Sequence, residues 1–124
     1  YVKPILDLFT KNIIKSCSHI TGGGITENLP RSLTENVQAQ IDLGNWNVPE
    51  IFKWIHSYGV TQSEMLRTFN CGFGMIVILE KSKLKSFDKT VKKYKLKYCN
   101  IGKLIHSNNS IKKIKFQNKL KFDD

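Results

Sequence analysis

The densest group of residues able to do chemistry is His19-Ile20-Thr21-Gly22-Gly23-Gly24-Ile25-Thr26-Glu27-Asn28-Leu29-Pro30-Arg31. Three consecutive glycines behind a short apolar stretch leave backbone N–H groups open, because no Cβ blocks the approach of a ligand. A helix opening just after them would add unpaired donors and the positive end of its dipole. Arg31 is able to grip a phosphate through two parallel donors. This is phosphate-site chemistry in outline, though it is neither a Walker A loop nor G-x-G-x-x-G. A plainer reading stands beside it: a triple glycine also marks a tight turn where a strand and a helix pack closely. His19 at a strand end has the same double reading, as a hydrogen-bonded structural residue or as a reactive one. Glu27 reads as a first-turn acid favoured by the helix dipole.

A second group is Arg67-Thr68-Phe69-Asn70-Cys71-Gly72-Phe73-Gly74-Met75. Gly72 and Gly74 open an apolar run, and glycine within a strand marks a bulge or a close backbone neighbour. Asn70 is placed to hydrogen-bond across a domain seam. Cys71 has no histidine beside it in sequence and makes a poor nucleophile candidate. Cys17, Cys71 and Cys99 are too widely spaced for a disulfide framework or a zinc site. They read as reduced thiols of a cytosolic protein. No cluster of metal-binding carboxylates is visible, so no metal ligands are assigned. Trp46 and Trp54 read as core or interface anchors.

These groups need elements to hold them. Val2, Ile5, Leu6, Phe9 and Ile13 recur at helical spacing over residues 2–14, with Pro4 tolerable in a first turn. Ser16–Ile20 reads as a short strand, and 27–30 as a short helix or turn. Val37, Ala39, Ile41 and Leu43 alternate with polar residues, the pattern of a half-buried strand. Gly44–Asn47 is a turn, and Pro49 opens a helix lined by Ile51, Phe52 and Ile55. Thr61 and Glu64 form a capping box for the next helix, with Met65, Leu66 and Phe69 as its apolar side. Cys71–Leu79 reads as a continuous apolar strand central in a sheet. Leu84, Phe87, Val91 and Tyr94 make 83–95 an amphipathic helix. Tyr98–Ile105 and Ile111–Phe116 read as closing strands joined at Ser107-Asn108-Asn109-Ser110 by a hairpin-like turn. Strands and helices intermix without a strict βαβ repeat. The expected fold class is α+β, a mixed or antiparallel sheet with helices packed on it.

The 124 residues suit one domain, and a hydrophobic fraction of 40% argues against disorder. No apolar run approaches the roughly 20 residues needed to span a bilayer. The N-terminal stretch lacks the features of a signal peptide. A start at Tyr1 is what a processed chain or a piece of a longer protein would show. The net charge of +10 raises nucleic-acid binding. Its distribution weakens that idea: six Lys/Arg and seven Asp/Glu precede Lys81, while fourteen Lys and three Asp follow from there. Arginines for base reading and aromatics for stacking are not arranged along that half. Richness in Lys, Ile and Asn is also what a compositional drift towards A and T produces, and a solvated lysine face needs no ligand.

Three segments together resemble signature stretches of the AIR synthetase (phosphoribosylformylglycinamidine cyclo-ligase) family, in the same order. They are His19–Arg31, Asp42-Leu43-Gly44-Asn45-Trp46-Asn47-Val48-Pro49 with Ile51–Trp54, and Glu64–Met75. Tyr1-Val2-Lys3-Pro4 is similar to the family's stretch just before its C-terminal domain, and the likeness runs to about Ile105. Asn45 and Asn47 depart from the commoner small or Pro residues beside the tryptophan. The resemblance implies that residues 1–124 are the C-terminal domain of a cytoplasmic, homodimeric enzyme. Its N-terminal domain, outside this chain, would form the dimer and hold most of the ATP and Mg2+. The enzyme would convert formylglycinamidine ribonucleotide to aminoimidazole ribonucleotide, ADP and phosphate. By the same resemblance, Thr21, Gly22, Gly23 and Gly24 would bind a phosphate, with Asn28 and Arg31 as polar helpers and His19 as a substrate contact or acid–base group. Asn70, Cys71 and Gly72 would pack against the N-terminal domain. The piece alone would be inactive, with no nucleic-acid or membrane partner. Rival readings are a sister synthetase, acting on the preceding purine intermediate or making selenophosphate, a decayed gene remnant, and a basic RNA-binding module using Lys112, Lys113, Lys115, Lys119 and Lys121.

Overall fold

The computed structural model describes residues 1–108 and 112–123. Helix α1 spans Val2–Thr10 and ends before Asn12, whose φ of 55° is left-handed. The helical pattern extended to residue 14, but Ile13 and Ile14 are buried beyond the helix, as the lead-in to strand β1, Ser16–His19. Helix α2, Gly24–Asn28, runs straight into a 3-10 turn at Leu29–Ser32. Strand β2 spans Val37–Asp42, and its alternation holds: Ala39 and Ile41 are buried, while Gln38, Gln40 and Asp42 lie on the other face.

Asp42 closes β2 by accepting the Gly44 N–H at 2.8 Å, which starts a 3-10 turn at Leu43–Asn45. Helix α3, Glu50–Ser57, opens behind Pro49. Helix α4, Gln62–Thr68, is capped by Thr61, whose Oγ1 accepts the Glu64 N–H at 3.3 Å. The capping box is only half made, because the Glu64 carboxylate takes the Thr68 hydroxyl at 2.8 Å instead. Strand β3 is Met75–Ile78, and a 3-10 turn at Lys81–Lys83 leads into helix α5, Leu84–Lys93. Strands β4, Gly102–His106, and β5, Ile114–Gln117, close the described chain.

The fold is α+β, with two sheets in place of a single one. β1 and β3 form an antiparallel pair, and β4-β2-β5 form a mixed sheet, antiparallel at β2–β4 and parallel at β2–β5. Two sequence expectations give way here. The run from Cys71 to Leu79 is not one central strand: Cys71 and Gly72 have φ of 49° and 104°, so the chain bends there and the strand starts only at Met75. β3 pairs with β1 alone among the described residues. The two closing strands are not a hairpin either, because β2 lies between them. Asn109, Ser110 and Ile111 of the expected turn and strand start lie outside the described residues.

Most of the core is one cluster linking β2 to α2, α4 and the 42–48 segment, with Trp46, Leu43, Met65 and Ile25 fully enclosed. A smaller cluster of Leu8, Ile13, Ile14, Phe87 and Val91 joins α1 to α5. The two tryptophans part company: Trp46 is 2% exposed and Trp54 57%. The Trp46 ring meets Phe73 edge-on at 4.4 Å, and its Nε1 donates to the Cys71 carbonyl at 2.9 Å. Trp46→Phe keeps much of the apolar contact and strands that buried carbonyl. The expected cost is about 1–3 kcal/mol of stability, read as a lower urea midpoint with an unchanged m-value.

Candidate functional site

The glycine segment begins where β1 ends. His19 is exposed, and its ring lies 6.4 Å from that of Tyr1 in an edge-on contact. The Ile20 N–H donates to the Gly74 carbonyl at 2.9 Å, which moors the start of the loop to the second glycine pair. Thr21 and Gly22 are exposed, Gly23 is half-buried and Gly24 is buried. The Gly24 N–H turns back to the Thr21 carbonyl at 3.0 Å. Those of Gly22 and Gly23 form no hydrogen bond among the described residues. Helix α2 has no side-chain cap, so its opening donors are not satisfied from that side.

The three glycines have different reasons to be glycine. At Gly24 a Cβ would collide with the Leu66 carbonyl, and φ is +59°. Here the plain packing reading holds, with one change: the close neighbour is helix α4. The Thr26 hydroxyl donates to the same Leu66 carbonyl at 3.1 Å, tying α2 to α4 twice. At Gly23 a Cβ would come within 2.9 Å of the Glu27 Cβ, so Glu27 fills the space beside the loop. At Gly22 a Cβ would meet nothing within 4 Å. Neither crowding nor backbone conformation requires glycine at that position.

Asn28 is 6% exposed, and its side chain faces inward. Its Nδ2 donates to the carbonyls of Thr21, Gly22 and Gly24 at 3.2, 3.1 and 2.8 Å. It shapes the loop from beneath by drawing three carbonyls inward. Arg31 is exposed in the 3-10 turn beyond α2 and forms no ion pair among the described residues.

The other two signature segments converge on this one. The bend at Cys71 and Gly72 packs on Pro49, whose Cδ would lie 2.7 Å from a Cβ at Gly72. Cys71 is wholly buried, its Sγ near the Met65 carbonyl at 3.5 Å. Burial pushes its thiol pKa up to about 11, so it is not a thiolate at neutral pH. Asn70 accepts the Gly72 N–H through Oδ1 at 2.9 Å. At this bend Gly72 is exposed and Asn70 half-buried. The contact of Tyr1 with His19 and Gly74 is missed by sequence reading, since no periodicity joins residues so far apart. Among the described residues no group of three or more His, Cys, Asp or Glu is gathered to hold a metal ion. No helix among them is long and apolar enough to cross a membrane.

Substitutions separate these roles. Gly24→Ala is expected to cost about 1–3 kcal/mol through overpacking and backbone strain. Gly22→Ala should stay within about 0.5 kcal/mol of the parent. Asn28→Asp, which sets a carboxylate against three carbonyls, should lose about 1–3 kcal/mol. Urea midpoints of the three variants measure all of this.

The amino-acid sequence matches known proteins along most of its length. It is 50% identical over 105 residues to a phosphoribosylformylglycinamidine cyclo-ligase of Carboxydothermus hydrogenoformans, covering 84% of this chain and 30% of that protein. It is 58% identical over 80 residues to a protein of the same name from Neisseria meningitidis, covering 64% and 23%. It is 54% identical over 78 residues to a bifunctional purine biosynthetic protein of Schizosaccharomyces pombe, covering 62% and 10%. The chain thus spans less than a third of the length of these relatives. The model of the family described as "AIR synthase related protein, C-terminal domain" matches residues 1–115, and the chain belongs to that family.

Proposed function

We propose that this chain is the C-terminal part of an ATP-dependent cyclo-ligase of purine biosynthesis, which converts formylglycinamidine ribonucleotide to aminoimidazole ribonucleotide with release of ADP and phosphate. The observation that carries the site reading is Gly22. Its backbone is exposed, its N–H and that of Gly23 have no partner among the described residues, and no packing demand accounts for the missing side chain. Such a position suits an anion brought against the backbone. The identity of 50% to a named cyclo-ligase over most of the chain supports the reaction.

In this reading Thr21, Gly22 and Gly23 receive a phosphate of substrate or nucleotide, and Asn28 holds the loop in that shape by its three inward bonds. Arg31 adds positive charge from the adjoining turn. His19, exposed at the end of β1 and braced by Tyr1, contacts the substrate or moves a proton. ATP would supply the phosphoryl group that activates the formyl oxygen before the amidine nitrogen closes the ring. The protein's task is then to keep the reacting chain folded and to offset phosphate charge. Mg2+ takes carboxylates and phosphate oxygens as ligands. By the family resemblance, metal and most of the nucleotide are assigned to an N-terminal domain of the parent enzyme, which also forms the homodimer in the cytoplasm. The Asp42–Trp54 and Arg67–Met75 segments favour this enzyme over its sister synthetases.

Two assays test the proposal. The purified chain with ATP, Mg2+ and substrate should form no aminoimidazole ribonucleotide. A chimaera carrying this chain in place of the matching part of the Carboxydothermus relative should form it. Gly22→Val in the chimaera should then lower kcat/KM by roughly 10²-fold with an unchanged Tm. Ring closure by the chain alone would refute the half-site reading, and an unaffected Gly22→Val chimaera would refute the loop's role.

A further inference from the structure

A groove of about 510 Å³ lies between the end of α1 and one face of α5, away from the glycine loop's contacts. Its rim carries Lys11, Lys83, Lys89 and Lys93, with Ser86 and Thr90 between them. Lys83, Ser86, Thr90 and Lys93 recur at three and four residues along the chain, the spacing that brings side chains to one side of a helix. Ile13, buried in the smaller core cluster, forms the apolar floor.

The charge of this groove is poorly compensated. Two carboxylates act on it and both are already shared: Asp7 has Lys11 at 3.1 Å, Lys93 at 3.6 Å and the Tyr94 hydroxyl donating at 3.0 Å, and Glu80, which feels the Lys83 charge, is paired with Lys15 at 3.1 Å. Hydrogen bonds from Lys11 and Tyr94 hold the Asp7 carboxyl below the usual carboxylate range, so it remains an anion at neutral pH. Lys83 and Lys89 form no ion pair among the described residues. Lys85, Lys89 and Lys93 also repeat at four-residue spacing, where like charges repel on a helix. The Ser86 hydroxyl is exposed and makes no bond within the described chain, whereas the Thr90 hydroxyl donates to the Ser86 carbonyl at 2.9 Å.

We infer that this groove binds a compact oligophosphate anion. Ammonium groups on flexible stems suit a chain of phosphates, which asks for positive charge from several directions and not for planar forks. The lining contains no aromatic side chain on which a base could stack, so single-stranded nucleic acid is not the favoured ligand. Two sources share the chemistry, free polyphosphate and the phosphate chain of a nucleotide.

The test is a ¹H–¹⁵N titration of the 124-residue chain with sodium tripolyphosphate, and in parallel with ATP and adenosine. Shifts are expected at the amides of Ser86, Lys89 and Thr90. Binding should weaken by about tenfold or more in Lys83→Glu/Lys89→Glu. It should be little changed in Lys112→Glu/Lys115→Glu, which has the same net charge. Lys83→Gln/Lys89→Gln should weaken it to a lesser degree without introducing repulsion. Tripolyphosphate binding as tightly as ATP would assign the phosphate chain alone, and tighter ATP binding would assign a nucleotide. Equal weakening in both charge-reversed pairs would overturn the site in favour of general attraction. So would shifts centred on Gly22 and Gly23, no binding at millimolar ligand, or binding of adenosine alone. None of these outcomes depends on cyclo-ligase activity.

Discussion

The approach of α2 to α4 at a single carbonyl constrains everything around the glycine loop. The Leu66 carbonyl sits where a Cβ of residue 24 would be, and it also accepts the Thr26 hydroxyl. That contact fixes how far α2 stands from α4, and so where the loop before α2 must emerge. Asn28 then sets the loop's shape from inside, using one buried amide for three carbonyls. With the carbonyls drawn inward, the peptide N–H groups of Gly22 and Gly23 are left over. An unpaired donor on an exposed backbone is cheap in water and becomes useful only when an anion arrives.

The same logic of buried backbone groups organises the bend at Cys71 and Gly72. A left-handed pair of residues turns the chain so that the Cys71 carbonyl is buried, and Trp46 answers it with its indole N–H. Phe73 closes over the ring, and Pro49 lies against Gly72. Two segments far apart in sequence are thereby joined by side chains set against main-chain groups and by the Trp46–Phe73 ring pair. This explains why Cys71, central to the middle of the motif, is inert: its role is to fill volume at a point where the chain reverses.

Charge is divided as unevenly in space as along the chain. The glycine loop has Arg31 and His19 near it in sequence, whereas the lysine-rich half builds its own field on α5 and the last strands. Asp7 bridges α1 and α5 electrostatically, just as Leu8 and Phe87 bridge them by apolar contact. On α5 itself Asp88 pairs with Lys92 at 2.7 Å, while Lys85 and Lys89 form no ion pair among the described residues.

What the sequence determined by itself was local and periodic. Alternation at 37–42, helical spacing along α1 and α5, the Thr61 cap and a turn beginning near Gly44 all follow from neighbours a few residues away, and each has a direct physical cause in the chain's own geometry. The α+β class and the family likeness followed from these elements and from three ordered motifs. Tertiary structure decided the rest, because it turns on groups that no pattern of residue types reveals. Cys71–Leu79 has the composition of a strand, yet its first half bends because the core needs the Cys71 carbonyl aimed at Trp46. The last two strands look like a hairpin, yet β2 separates them because its two edges are both open to pairing. Three identical glycines look alike in sequence, and only the position of the Leu66 carbonyl, the Glu27 side chain and empty space tells Gly24, Gly23 and Gly22 apart.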